Sequence, residues 1–271
     1  MQFFLDREAM LAMAANRATE YAENPPFPHV VLDDFLPVDV AEAVLAEFPG
    51  PDDVDWWAFD SEKERKLASR DEAVMGPVTR QVLSQLNSAT AIDFLTCLTR
   101  VPGLVPDPHY LGGGLHQIRS GGYLEVHADF NLHPSTGLQR RLNVLLYLNH
   151  DWKDEYGGAL QLWSGDMSRA EVVINPVFNR CVIFSTTSTA FHGHPEPLSC
   201  PEDRTRKSLA LYYYSAPDPE VRRHNTLFQA RESAEQPPVR RTRLAGSLRR
   251  WLPPVAYEAL RARAHRRRSG S

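Results

Sequence analysis

The spacing of apolar and polar positions changes character near residue 111. Before it, apolar residues recur mostly at helical intervals. Arg7 to Ala22 is rich in alanine and is stopped by Pro25-Pro26, which predicts a helix within residues 1–24. Phe27–Leu32 reads as a strand. Asp33-Asp34 and Pro37 then lead into a helix over 38–48, with Val40, Val44, Leu45 and Phe48 on one face. A charged loop holding Trp56 and Trp57 follows. Helical spacing returns from Glu72 to Thr99 through Val82, Leu86, Ile92, Leu95 and Leu98, and Pro102, Pro106 and Pro108 end it.

From Leu111 onward, short β-rich runs alternate with Gly, Pro, Asn and Asp. They fall at 114–119, 122–127, 141–149, 159–163, 171–174, 180–185, 189–193 and 206–214. Runs this short and this closely spaced point to a jelly-roll or barrel-like sandwich. The fold class is therefore α+β and mainly β, with N-terminal helices covering one sheet. After Pro217-Asp218-Pro219 the pattern dissolves into a Pro-interrupted, arginine-rich segment with one expected helix at 254–266. The chain divides accordingly into a strand-and-helix support (1–110), a β core (111–216) and a basic extension (217–271).

Composition bounds this picture. At 271 residues and 42% hydrophobic, the chain can bury a sizeable core. Its apolar runs, such as Leu142–Leu148, are far below membrane-spanning length. Met1–Arg17 carries no apolar stretch followed by a cleavage site. Cys97, Cys181 and Cys200 lack paired spacing, which argues against a disulfide framework or a cysteine zinc site and for a cytoplasmic setting. The net charge of −4 hides an asymmetry: Pro237 to Ser271 holds ten arginines and one acid, Glu258. That basic end is expected to stay solvated or to meet an acidic partner: anionic lipid, nucleic acid or the chain's own acidic body.

The candidate chemistry begins at His127-Ala128-Asp129. Gly121 to His127 reads as a strand ending at His127, with Asp129 in the turn just beyond, so both side chains can converge on one ion. A third ligand must come from a distant strand, and the run ending Phe191-His192-Gly193-His194 supplies two candidates. His192 is favoured, because Pro195 and Pro197 make the stretch beyond His194 a poor place to converge ligands, and Gly193 leaves room at the metal. Two imidazoles and one carboxylate on one face of ferrous iron leave positions for dioxygen and an oxidisable co-substrate. A co-substrate with two carboxylates needs a further cation. Arg204, Arg206 and Lys207 open the last strand of the core, and Arg206 shares a face with Ser208, Ala210 and Tyr212. A guanidinium grips a carboxylate through two parallel hydrogen bonds, so Arg206 is the better clamp. On the strand at 141–149, Tyr147 shares a face with Asn143 and Leu145. His116, His133 and His150 read as loop or surface residues.

The order H-A-D (127–129), R-L-N-V-L-L-Y-L-N-x-D-W (141–152), G-G-A-L-Q-L-W (157–163), F-H-G (191–193) and R-K-S-L (206–209) resembles the prolyl 4-hydroxylase-like 2-oxoglutarate/Fe(II)-dependent dioxygenases. F-P-H-V-V-L-D-D-F-L at 27–36 is similar to their entry segment. The resemblance, over about residues 111–215, implies a double-stranded β-helix holding Fe(II) through His127, Asp129 and His192. It further implies 2-oxoglutarate gripped by Arg206 with Tyr147 assisting, and Asn143 on the pocket wall where relatives often carry threonine. The interval from His192 to Arg206 is long, with an insert at Pro195–Asp203. Dioxygen and a substrate C–H, in a prolyl peptide or a small molecule such as an amino acid or sugar-linked metabolite, complete the expectation. Ascorbate dependence is a habit of the family. A non-catalytic binding module on the same fold is the competing reading.

Overall fold

In the computed structural model, which describes residues 3–229, Asp6 opens the first helix. Its carboxylate accepts from the Ala9 amide at 2.8 Å, satisfying a donor that a helix start leaves free. That helix, α1 (Arg7–Glu23), leads to strand β1 (His29–Leu32), helix α2 (Val38–Glu47) and a hairpin of β2 (Trp57–Asp60) and β3 (Glu64–Ser69). Two helices, α3 (Pro77–Leu86) and α4 (Ala89–Thr99), carry the helical spacing expected over Glu72–Thr99. The break falls at Asn87-Ser88, residues whose side chains compete with helical backbone bonding. The remaining strands are β4 (Val105–Pro106), β5 (Gly114–Ile118), β6 (Tyr123–Ala128), β7 (Gln139–Tyr147), β8 (Leu160–Trp163), β9 (Ala170–Ile174), β10 (Arg180–Ser185), β11 (His192–His194), β12 (Arg206–Ser215) and β13 (Leu227–Phe228).

These strands form one antiparallel sheet in the order β1-β10-β7-β12-β5-β3-β6-β11-β8-β9, with β2 on β3, β4 on β12 and β13 on β6. β3 pairs with both β5 and β6, so the sheet curls into two walls joined through it. The walls face each other: Phe184 of β10 meets the His192 ring of β11 at 4.8 Å between centroids. This is the jelly-roll, double-stranded β-helix architecture expected for the core. Alternation sorts the side chains. Leu142, Val144 and Leu146 of β7, with Leu209, Leu211 and Tyr213 of β12, pack outward on Leu83, Phe94 and Leu98 of the helices. Each fully buried leucine there contributes roughly 1.5–3 kcal/mol. The opposite face turns Leu145 and Tyr147 toward Leu160 and Leu162 of the far wall.

Three expectations are corrected. The charged loop at Trp56-Trp57 is half a hairpin: Trp56 is buried and stacked on Phe48, while Trp57 begins β2. The run expected at 189–193 lies instead at 192–194, so His192 opens its strand and does not close it. Residues 217–229 fold back, with Leu227 opposite Ala128 and Phe228 opposite His127. Backbone pairing and two Asn131 side-chain bonds hold that strap, to the Arg222 carbonyl at 2.7 Å and from the His224 amide at 2.9 Å. Such bonding leaves no hydrophobic period to read. The expected helix at 254–266 and the basic segment lie outside the described residues. Among the described residues, no helix is long and apolar enough to cross a membrane.

Candidate metal and cofactor site

β6 ends at Ala128, which puts His127 on the strand and Asp129 one step past it. β11 pairs directly alongside, with His192 opposite His127. The two imidazole centroids lie 4.5 Å apart. His127 Nε2 is 3.6 Å from Asp129 Oδ1, and His192 Nε2 is 3.4 Å from Asp129 Oδ2. All three donor atoms fall within 4.8 Å of one another. Adjacent ligands of an ion at about 2.1 Å stand about 3 Å apart, so small rotations close the set on a metal. The other imidazole nitrogens donate to backbone: His127 Nδ1 to the Glu125 carbonyl at 2.8 Å, and His192 Nδ1 to that of Ala190 at 3.0 Å. Those bonds present both Nε2 lone pairs to the common point, as metal-ligating histidines require. The donor set thus fits a divalent iron.

Asp129 is itself held. Asn143 Nδ2 donates to its Oδ2 at 2.8 Å, and Arg140 Nη2 lies 2.9 Å from the same oxygen. Burial alone would raise this carboxyl's pKa; Arg140 and the two histidines reverse that and hold it well below the usual range. His127 is pushed down by burial and then by His192, which keeps it neutral and able to ligate. Arg140 is only 2% exposed and lies over the Tyr212 ring at 3.4 Å. Sequence reasoning gave Arg140 no role.

At the far end of the interior, Arg206 donates from Nε to the Gly158 carbonyl at 2.7 Å and from Nη2 to the Tyr147 hydroxyl at 3.3 Å. No carboxylate pairs with it among the described residues. Burial lowers the pKa of this guanidinium and raises that of the Tyr147 hydroxyl. Its sequence rivals point elsewhere: Arg204 donates to the His150 carbonyl, and Lys207 Nζ to Thr205 Oγ1 at 2.8 Å. Gly158 has φ +73°, and a Cβ there would sit 3.0 Å from Arg206 Cδ. Gly158→Ala is therefore expected to cost about 1–2 kcal/mol of stability by chemical denaturation and to weaken binding at Arg206.

His194 shares the interior face with His192. β8 sets Leu162 level with His192 and Gly193 level with Gln161, so His194 lies further along toward Gly158 and Arg206. It is 3% exposed, and neither ring nitrogen has a hydrogen-bond partner. Burial, and then Arg206, holds it neutral. His150 is exposed, as expected. His133 is instead buried, with Nε2 3.7 Å from Asp107 Oδ2, and His116 sits on β5.

Residues 113–214 match the family model of the 2OG-Fe(II) oxygenase superfamily. No match was found among curated proteins. Among solved structures, a Pseudomonas putida prolyl-4-hydroxylase aligns over 76% of this chain and 100% of its own, at 19% identity and TM-score 0.54. A prolyl 4-hydroxylase structure from Phytophthora capsici aligns over 80% and 68%, at 21% identity and TM-score 0.52. A Trichoplax adhaerens prolyl hydroxylase, in complex with a hypoxia inducible factor peptide fragment, aligns over 77% and 90%, at 18% identity and TM-score 0.51. These likenesses show the shared fold. The family match marks residues 113–214 as similar to 2-oxoglutarate/Fe(II) oxygenase domains, and the fold is the one the prolyl 4-hydroxylase structures share. The protein is accordingly a dioxygenase whose cofactors are Fe(II) and 2-oxoglutarate.

Proposed function

We propose that His127, Asp129 and His192 hold the Fe(II), that Arg206 with Tyr147 takes the distal carboxylate of 2-oxoglutarate, and that the site hydroxylates an unactivated C–H. When bound, the metal and 2-oxoglutarate supply the oxidising chemistry; the chain positions, orients and excludes water. Asn143 acts on this site through Asp129, whose carboxylate it orients. The observation that carries the reading is the pairing of a convergent two-His, one-carboxylate set with a buried guanidinium that has no carboxylate partner among the described residues, across the same interior.

The test is spectroscopic. Anaerobic protein with Fe(II) and 2-oxoglutarate should develop a weak metal-to-ligand charge-transfer band, and His127→Ala should abolish it while the far-UV spectrum stays unchanged. A flat trace from folded wild-type protein would overturn the reading and favour a binding module.

We also propose a cytoplasmic location, on the cysteine spacing, and ascorbate support of turnover, on the resemblance alone. Residues 1–110 act in this reading as support, 111–216 as core and 217–271 as an extension whose basic end meets an acidic partner. Of the two substrate classes, prolyl peptide and small molecule, the chemistry beside Asp129 favours the second.

A further inference from the structure

Strand β7 is bulged at Arg141. Tyr214 of β12 pairs with Arg140 and Tyr213 with Leu142, which leaves Arg141 as the extra residue. A bulge of this kind re-aims side chains and is common beside active sites. Here Arg140 and Arg141 both line one pit of about 240 Å³ that also includes Asp129. The first guanidinium is taken up by Asp129 and Asn143. The second is not: among the described residues, Arg141 Nη1 reaches only Ser215 Oγ at 3.3 Å and Asp218 Oδ2 at 3.9 Å. Asp218 is 65% exposed, so that long ion pair holds little energy and yields readily to a ligand.

Most of the remaining lining is polar, with Asn131, Gln139, Ser185, Thr186 and Ser188 on the walls beside the apolar Val101 and Phe130. The pit is smaller than the roughly 300–1,000 Å³ usual for drug-sized ligands. The 217–229 strap bounds one side through Asp218 and Val221. It is pinned there: the Asp218 amide donates to Gln139 Oε1 at 2.8 Å, and Ser188 Oγ lies 2.8 Å from His224 Nε2. A peptide running on past the pit on that side would have to displace these bonds.

We infer that this pit is the substrate site and takes a small polar molecule bearing a carboxylate or phosphate, its anion on Arg141 and its reacting C–H beside Asp129. The inference rests on the oxygenase reading above. The C–H becomes C–OH with one atom of dioxygen; the other leaves in succinate as 2-oxoglutarate loses carbon dioxide.

Full-length protein with Fe(II) and 2-oxoglutarate would be given pools of free amino acids, hydroxy acids and sugar phosphates. Parallel arms would contain the same compounds with the acid masked as amide or ester, and end-blocked prolyl peptides. Succinate formation and the anaerobic shift of the charge-transfer band would both be followed. A free-anion pool should raise succinate about tenfold over the substrate-free rate and shift the band, and masking should remove both effects. The responding pool tells carboxylate from phosphate. Arg141→Gln should raise KM at least about tenfold with kcat nearly kept, and Arg141→Lys should recover part of the loss. Response to masked compounds or blocked peptides, no response from any pool while the band is present, or an unchanged KM in Arg141→Gln would overturn the inference alone. Absence of the band in wild-type protein would overturn the oxygenase reading with it.

Discussion

Arg206→Met is expected to cost the protein its 2-oxoglutarate while leaving the apo fold as stable as before or more so. Arg206 is 5% exposed, and among the described residues its guanidinium has one carbonyl and one phenol as hydrogen-bond partners but no anion. A charge in that position is desolvated without compensation, which is why burial draws its pKa down. An isosteric apolar side chain removes that burden, and replacing buried charge by well-packed apolar groups is often neutral or stabilising by about 1–4 kcal/mol. The same change removes a charge-assisted, two-bond grip on a carboxylate, a loss of about 2–5 kcal/mol, or some thirtyfold to several-thousandfold in Kd. Titrating 2-oxoglutarate into anaerobic Fe(II) protein reads the second effect, and thermal melting of metal-free protein reads the first. Lower melting with unchanged affinity would make Arg206 a packing residue and return the clamp to Lys207. Lys207 sits on the outer side of β12, however, with its ammonium on Thr205 Oγ1.

The residues that alternation could sort were legible in the sequence. Strands β7 and β12 keep strict period two through Leu142–Tyr147 and Ser208–Tyr213, so Tyr147 and Ser208 could be put on one face and Leu209 and Leu211 on the other. His127 and Asp129 could be placed because they straddle a strand end. Arg140 and Arg141 could not, because a bulge adds one residue at their position and period-two reading fails there. The doublet Arg140-Arg141 before an apolar strand is the available signal, of the same kind as the basic pair Arg206-Lys207 that opens β12. The β2–β3 hairpin was hidden for another reason. Glu64-Arg65-Lys66 is charged, and these residues are tolerated in a strand because Lys66 and Glu64 pair at 3.0 Å along it. His194 was legible as a residue near the metal, but its lack of partners depends on walls that only the closed barrel creates.

Arg140→Leu should destabilise the metal-free protein by about 3–5 kcal/mol, because it leaves the buried Asp129 carboxylate without its cation. Divalent metal should shrink that deficit, since an ion on the three donors supplies the missing positive charge. Metal affinity should still fall about 10–100-fold, the usual effect of losing an outer partner that orients a ligand. The sign with pH follows from the carboxyl. Asp129 is held well below its ordinary range, so in the wild type its contribution persists down to acid pH and fades only as pH falls through the depressed folded value. Without Arg140 the carboxyl titrates higher, and the variant should lose metal at a pH where the wild type still binds it. Urea unfolding with and without Mn(II), repeated between neutral and mildly acid pH, separates these effects. Equal deficits with and without metal at every pH would instead assign Arg140 to packing against Tyr212 and Phe130, whose rings it lies over at 3.4 and 4.8 Å. A deficit that metal repairs at neutral pH but not at acid pH would identify the guanidinium as the group that keeps Asp129 ionised until iron arrives.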